Sequence, residues 1–122
     1  MSLSKTSLAR LATCHADLQR LVKAVADKVE ITVLEGHRGK EAQNAAFAAG
    51  TSKVQWPNGK HNKQPSLAVD IAPCPVDWCN IKRFNEMAAI VKKTAAEMGI
   101  SVVWGGDWKM VDMPHFELAN NV

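Results

Sequence analysis

Two histidines and one aspartate, taken from separate segments, carry side chains suited to binding a metal ion. His61 lies in a polar loop, Asp70 interrupts the apolar segment that follows, and His115 lies near the C-terminus. Zinc binds imidazole nitrogens and carboxylate oxygens, and three protein ligands leave a fourth position for water. His61, Asp70 and His115 could therefore form a catalytic zinc site, although their spacing alone is not a specific zinc pattern.

Asp70 interrupts a segment that alternates like a β-strand. Leu67, Val69 and Ile71 alternate with Ala68, Asp70 and Ala72. Successive side chains of a strand point to opposite faces, so one face is aliphatic and the other carries the carboxylate. A carboxylate there is costly to bury without a partner, and we therefore expect a histidine from another segment beside Asp70.

Three further charged residues could serve the same site. If residues 114–118 are extended, His115 and Glu117 point to the same face, so Glu117 could reach the metal. Asp112 lies three residues before His115, in the preceding turn. Arg38 follows a predicted strand, and its guanidinium suits a substrate carboxylate or a developing oxyanion. Each of the three also has an ordinary interpretation: Asp112 as a turn residue, Glu117 as a charge on a strand edge and Arg38 as a surface arginine.

Hydrophobic periodicity and turn residues predict the elements that position these side chains. Helices are predicted at Ser4–Lys28, Lys40–Ala49 and Asn80–Met98, and strands at Glu30–Glu35, Leu67–Ala72, Ile100–Trp104 and Pro114–Leu118. Trp108–Met110 is either a further strand or a continuation of the turn before it. This order is typical of an α+β fold in which helices cover one side of a small antiparallel sheet.

Two segments without a clear period also suggest function. Residues 51–66 form a long predicted loop with strong turn residues, and loops of this length in a small domain are usually functional. Trp104 and Trp108 flank a Gly-Gly pair and could either line a substrate groove or pack in the core.

Length and composition indicate one ordinary globular domain spanning residues 1–122. A dispersed net charge of +3 does not indicate nucleic-acid binding, and the Gly-rich nucleotide loops are absent. The N-terminus lacks the apolar core of a signal peptide, and no run is long enough for membrane insertion. Cys14, Cys74 and Cys79 are odd in number, which fits a reducing cytoplasm.

The chain closely resembles the M15 family of zinc peptidases in five ordered blocks. They are Gly36–Gln43 (GHRGKEAQ), Lys53–His61 (KVQWPNGKH), Pro65–Pro73 (PSLAVDIAP), Trp104–Trp108 (WGGDW) and Asp112–Leu118 (DMPHFEL). The resemblance is greatest to the compact phage endolysins of that family, which are L-alanyl-D-glutamate endopeptidases that cut the peptide stems of peptidoglycan.

This resemblance implies a fold, a ligand set and residue roles. The fold is that of the zinc D,D-peptidases and the hedgehog signalling domain, an antiparallel sheet flanked by helices. By position, His61, Asp70 and His115 match the zinc ligands. Asp112 matches the catalytic acidic residue, which argues against Glu117 as the base, and Arg38 matches the arginine that steadies the substrate carbonyl.

The resemblance also implies a biological setting. The expected protein is a single zinc peptidase catalytic domain that acts as a monomer on bacterial peptidoglycan. Without a signal peptide, it would stay in the host cytoplasm until released to the cell wall, where it would cause lysis.

Two departures and two alternatives remain at this point. The family usually has serine where this chain has Gly59, which could loosen a contact behind the first ligand. The spacing from His61 to Asp70 is the longer one of the phage branch. The alternatives are a D-alanyl-D-alanine carboxypeptidase of the same family and a catalytically silent wall-binding module, which would not need Asp112 or Arg38.

Overall fold

A computed structural model describes residues 3–50, 52, 55–109 and 111–119 of the chain. Its helices are α1 (Lys5–Leu11), α2 (Ala16–Ala26), α3 (Lys40–Ala48) and α4 (Ile81–Met98), and its strands are β1 (Ile31–Glu35), β2 (Ala68–Pro73), β3 (Val102–Trp104) and β4 (His115–Leu118). The strands pair antiparallel in the order β1-β2-β4-β3. The predicted α+β fold with a small antiparallel sheet is confirmed.

The two faces of the sheet differ in chemistry, as the alternation around Asp70 predicts. Residues directly opposite each other in paired strands share a face. The core face carries Val33, Val69, Ile71, Phe116 and Leu118. On the other face Asp70 pairs with His115, and Ala68 pairs with Glu117. The apolar face therefore packs in the hydrophobic core, while the opposite face carries the polar side chains of the candidate site.

Helices α2 and α4 supply most of the helical side of the core. Leu18, Leu21, Val22 and Val25 of α2 and Phe84, Met87, Ala88 and Val91 of α4 are buried together. Helix α4 ends at Gly99, which has a φ of 72°, a left-handed conformation that favours glycine. None of the described helices is long and apolar enough to span a membrane.

The single long helix predicted at Ser4–Lys28 is wrong, because α1 and α2 are separate helices. The backbone between them pairs with the loop before β2: Thr13 accepts a hydrogen bond from the Ser66 amide at 2.9 Å, and His15 donates to the Ser66 carbonyl at 2.8 Å. This non-local pairing outweighs the local helical preference. His15 then caps α2, since its Nδ1 accepts from the Asp17 amide.

Of the two alternatives for Trp108–Met110, the strand does not form at Trp108 and Lys109, which lie outside any strand; Met110 lies outside the described residues. A short 3-10 turn, Gly105–Asp107, redirects the chain directly after β3. Strand β3 therefore ends at Trp104.

Helix α1 protects the outer edge of β1. An edge strand presents unpaired backbone groups. Here the Val33 amide donates to Ser7 Oγ at 2.9 Å, and the Val33 carbonyl accepts from Arg10 Nη1 at 3.0 Å. Both edge groups of Val33 are therefore bound by α1 side chains.

We expect Ser7→Ala to destabilise the protein by about 1–3 kcal/mol, because it leaves the Val33 amide buried without an acceptor. Urea unfolding measures the loss. Ser101→Ala, at an exposed serine, is the matched control and should change stability by less than about 0.5 kcal/mol. Equal effects of the two changes would contradict the edge-protecting role of Ser7.

Candidate metal centre

His61, Asp70 and His115 meet beside the polar face of the sheet. Nε2 of His61 lies 3.2 Å from Nδ1 of His115, and each of these nitrogens lies 3.2 Å from Oδ1 of Asp70. The three atoms form a nearly equilateral triangle. Both histidines are buried and Asp70 is half-buried. The structure thus brings together the three side chains that the sequence singles out.

Three separate elements carry the three side chains. His61 lies in a short 3-10 turn, Lys60–Asn62, Asp70 lies within β2, and His115 is the first residue of β4. The turn is held in place by its backbone: His61 accepts from the Arg38 amide at 2.7 Å, and Lys60 accepts from the Leu67 amide at 3.0 Å. The antiparallel register places Asp70 opposite His115.

Hydrogen bonds from outside the triangle set the tautomer of each histidine. Nδ1 of His61 lies 2.7 Å from the Gly36 carbonyl oxygen, which can only accept, so Nδ1 donates and Nε2 presents a lone pair. Nε2 of His115 donates to Glu117 Oε1 at 2.8 Å, so Nδ1 of the neutral ring presents a lone pair. When both rings are neutral, each therefore turns a lone pair into the triangle.

The triangle fits a small divalent metal ion. Three electron-rich atoms at this separation repel one another unless a cation or a proton lies between them. In a tetrahedral site with bonds of about 2.0 Å, ligand atoms lie about 3.3 Å apart. The observed separations of 3.2 Å match that spacing. Outer partners such as Gly36 and Glu117 are typical of histidines that bind metals.

Asp112 lies at the edge of the triangle without belonging to it. Its Oδ2 is 4.0 Å from Nδ1 of His115, which is beyond hydrogen-bond distance, so Asp112 approaches the triangle from outside. Burial and the neighbouring Asp70 carboxylate raise the pKa of Asp112, while His115 and other nearby cationic groups lower it in part. The net pKa is raised, which suits a group that takes and returns a proton.

Gly105 sets the position of Asp112. The Gly105 carbonyl accepts from the Asp112 amide at 2.9 Å, which closes the loop before β4. A Cβ atom at Gly105 would lie 2.3 Å from the Asp112 carbonyl oxygen and 3.1 Å from the Cβ of His115. Only a residue without a side chain lets the loop pass this close to β4.

Arg38 is held beside the same site by two side chains. Its Nε donates to Glu35, the last residue of β1, and its Nη1 donates to Gln43 Oε1 at 3.1 Å. Arg38 also contacts the site through its backbone, since its amide donates to the His61 carbonyl at 2.7 Å, and its positive charge is one of the groups that lower the pKa of Asp112. A guanidinium carries five N–H donors, so these two bonds leave others for a ligand.

The two tryptophans have different roles. Trp104 is buried and stacks on Phe116 of the core, and its Nε1 donates to the Met113 carbonyl at 2.7 Å. Trp108 is 36% exposed, and its ring centre lies 5.0 Å from that of His115. Trp108 therefore forms an apolar border of the site, whereas Trp104 is a core residue.

The sequence did not identify the residues that bind and orient the side chains of the candidate site. Glu35 and Gln43 hold Arg38, and Lys60 Nζ lies 3.0 Å from Glu117 Oε2, behind His115. Gln43 is one of several polar residues of α3, so the sequence gives no signal that it contacts Arg38. Lys60 gives no signal, because its partner Glu117 is distant in sequence.

The sequence profile of the phage L-alanyl-D-glutamate peptidases matches residues 1–120. This chain belongs to that family. The L-alanyl-D-glutamate peptidase of Escherichia phage T5 is 28% identical in an alignment that covers 93% of this chain and 86% of the relative. The crystal structure of the Serratia marcescens L-Ala D-Glu endopeptidase ChiX superimposes with a TM-score of 0.84 at 31% identity, covering 97% of this chain and 90% of ChiX.

The region that matches the L-alanyl-D-glutamate peptidase family includes every residue of the candidate site. Arg38, His61, Asp70, Asp112 and His115 all fall inside the matched residues. The resemblance inferred from the five sequence blocks is confirmed, and the fold shared with ChiX confirms the expected architecture.

We expect metal binding to weaken as the pH falls. Burial lowers the pKa of His115, but its hydrogen bonds with Asp70 and Glu117 outweigh burial and raise the pKa to about 9. Below that pH the metal-free site holds a proton that a metal ion must displace. Apparent affinity should therefore rise about tenfold per pH unit between about pH 6 and pH 8.

Chelator competition at several pH values measures this dependence. Calorimetry in buffers of different ionisation enthalpy should also detect about one proton released per metal bound at neutral pH. An affinity that does not change between these pH values would contradict the displacement of a proton from His115.

Proposed function

We propose that the protein is a zinc-dependent endopeptidase that cleaves the L-Ala–D-Glu bond in the peptide stems of bacterial peptidoglycan. The observation that carries this proposal is the triangle of His61, Asp70 and His115 with Asp112 at its edge, in a member of the L-alanyl-D-glutamate peptidase family. The relatives from phage T5 and Serratia carry the same activity in their names.

Zinc is the metal that we assign to the site. Two imidazole nitrogens and one carboxylate oxygen form a common catalytic zinc set, and the size of the triangle suits tetrahedral zinc. When bound, the ion supplies a Lewis acid that activates water near neutral pH. The protein contributes the two histidines in the correct tautomer, held by Gly36 and Glu117.

Asp112 is the general base in this proposal. Its carboxylate takes a proton from the attacking water and returns it to the amine of the departing D-Glu residue. The separation of 4.0 Å between Asp112 Oδ2 and His115 Nδ1 supports a carboxylate that acts beside the ligands and is not one of them. Glu117 is already engaged by His115 and Lys60, and both hydrogen bonds lower its pKa despite its burial, so it is a poor base.

Arg38 stabilises negative charge on the carbonyl oxygen of the scissile bond during the attack. Its guanidinium is fixed at Nε and Nη1 and has further donors for that oxygen. The positive charge of Arg38 also lowers the pKa of Asp112, against the raising effects of burial and Asp70. A module that only binds the wall would need neither residue in this arrangement.

The remaining parts of the proposal concern the setting in which the enzyme works. All the site residues come from one chain, so we infer that a monomer is active and that residues 1–122 form one catalytic domain. The thiols of Cys14, Cys74 and Cys79 are free, which suits synthesis in a reducing host cytoplasm before release to the wall.

Asp112→Asn should separate chemistry from metal binding. Asparagine keeps the shape and hydrogen-bonding reach of Asp112 but cannot accept the proton, so we expect wall cleavage to fall by about 10² to 10⁴. The variant should still bind one equivalent of zinc and melt close to the parent. Turbidity loss of purified walls and metal analysis measure the two effects.

Glu117→Gln is the matched control for Asp112→Asn. Glutamine can still accept from His115, so this variant should retain far more activity when zinc is saturating. If Glu117→Gln were inactive and Asp112→Asn active, Glu117 would be the base, and the assignment to Asp112 would be wrong.

Digestion of purified peptidoglycan, followed by mass spectrometry of the products, tests the bond specificity. We expect new L-Ala carboxyl termini and new D-Glu amino termini, and no products when a chelator removes the metal. Release of free D-Ala alone would instead identify a D,D-carboxypeptidase. Unchanged products in the presence of the chelator would contradict a metallopeptidase.

A further inference from the structure

Helix α3 is anchored by one buried polar side chain. None of its residues belongs to the apolar core of the described chain, and Gln43 is its buried residue, with 1% of its surface exposed. An amide buried to this extent is costly unless its donors and acceptors are paired. The function of α3 is therefore connected to what Gln43 binds.

Gln43 binds both the arginine and the turn that carries a metal ligand. Its Oε1 accepts from Arg38 Nη1 at 3.1 Å and from Asn62 Nδ2 at 3.1 Å, and its Nε2 donates to Ser52 Oγ at 2.9 Å. A guanidinium only donates, so the amide oxygen must face Arg38. The orientation of the Gln43 amide is thus determined by its partners.

Asn62 continues this network toward the metal centre. Its Nδ2 also donates to the Arg38 carbonyl at 3.0 Å, and its Oδ1 accepts from the Gly59 amide at 2.9 Å. A Cβ atom at Gly59 would lie 2.8 Å from this Oδ1, so glycine suits the contact in this chain. Asn62 directly follows His61, and Gln43 therefore contacts the turn that presents a metal ligand.

The two partners of Arg38 have different chemical character. Glu35 provides a carboxylate at Nε, and Gln43 provides a neutral oxygen at Nη1. Two contacts at different nitrogens fix the plane of the guanidinium, which a single ion pair would leave free to rotate. Because Gln43 is neutral, it orients Arg38 without adding a second negative charge that would cancel the field of the guanidinium at the substrate.

We propose that Gln43 is a positioning residue for the reaction: it orients the Arg38 guanidinium toward the scissile carbonyl and does not touch the substrate itself. This proposal rests on the role given to Arg38 in the proposed function. In this proposal, the role of α3 is to place the Gln43 side-chain amide against Arg38.

A double-mutant cycle tests whether Gln43 acts through Arg38. Gln43→Met keeps the length of the side chain and removes its hydrogen bonds. We expect kcat on a stem peptide to fall about ten- to a hundredfold, with KM changed much less, because misplacement of a positioned group costs rate. In an Arg38→Ala background the same change should have almost no further effect on kcat.

Two companion variants keep the test informative if Gln43→Met binds less metal or is less stable. Gln43→Glu keeps an acceptor for Arg38 and Asn62 but adds a charge, so its loss of kcat should also disappear in the Arg38→Ala background. Ser52→Ala removes the contact on the far side of the amide and should retain activity close to the parent. Zinc content and melting temperature are measured for every variant.

The outcomes separate the inference from the proposed function. If the Gln43 variants lose as much kcat without Arg38 as with it, or keep parental kcat, the positioning role is overturned. If Arg38→Ala itself keeps parental kcat, the role of Arg38 fails and the inference fails with it. A parent protein that cleaves no L-Ala–D-Glu bond in either walls or stem peptide would overturn the proposed function first.

Discussion

The mutual repulsion of three electron-rich atoms is the constraint on which the site depends. Lone pairs of His61 and His115 face the Asp70 carboxylate at 3.2 Å, and such an arrangement persists only if a cation or a proton occupies it. The protein holds the atoms there from outside, through the Gly36 carbonyl, the Glu117 carboxylate and the pairing of β2 with β4. The affinity of the site for a metal ion thus depends on these surrounding contacts, which hold the three atoms close together.

Much of this framework could be predicted from the sequence, because strand alternation is a local property. A carboxylate among small residues on one side of an aliphatic strand placed Asp70 opposite the core, and the spacing of His115 and Glu117 placed them on one face. The ordered sequence blocks then selected the ligands from the other histidines. The face of each strand residue depends on neighbours close together in the chain, for which period and spacing are informative. The choice of ligands came instead from the family resemblance.

The parts that could not be predicted depend on contacts between distant segments. The break between α1 and α2 arises from pairing with Ser66, which no local period reveals. The same is true of Gln43, whose importance comes from meeting Arg38 and Asn62. Gly105 gives a turn signal, but its close approach to Asp112 becomes visible only when the loop is folded over β4.

The order of the strands also controls when activity can first arise during synthesis. Strand β4 is the last strand in sequence, yet it lies between β2 and β3 and carries His115. Until the ribosome has released this segment, a nascent chain lacks an inner strand of its sheet and one of its three proposed ligands. A chain interrupted before β4 therefore has neither a complete sheet nor a complete site.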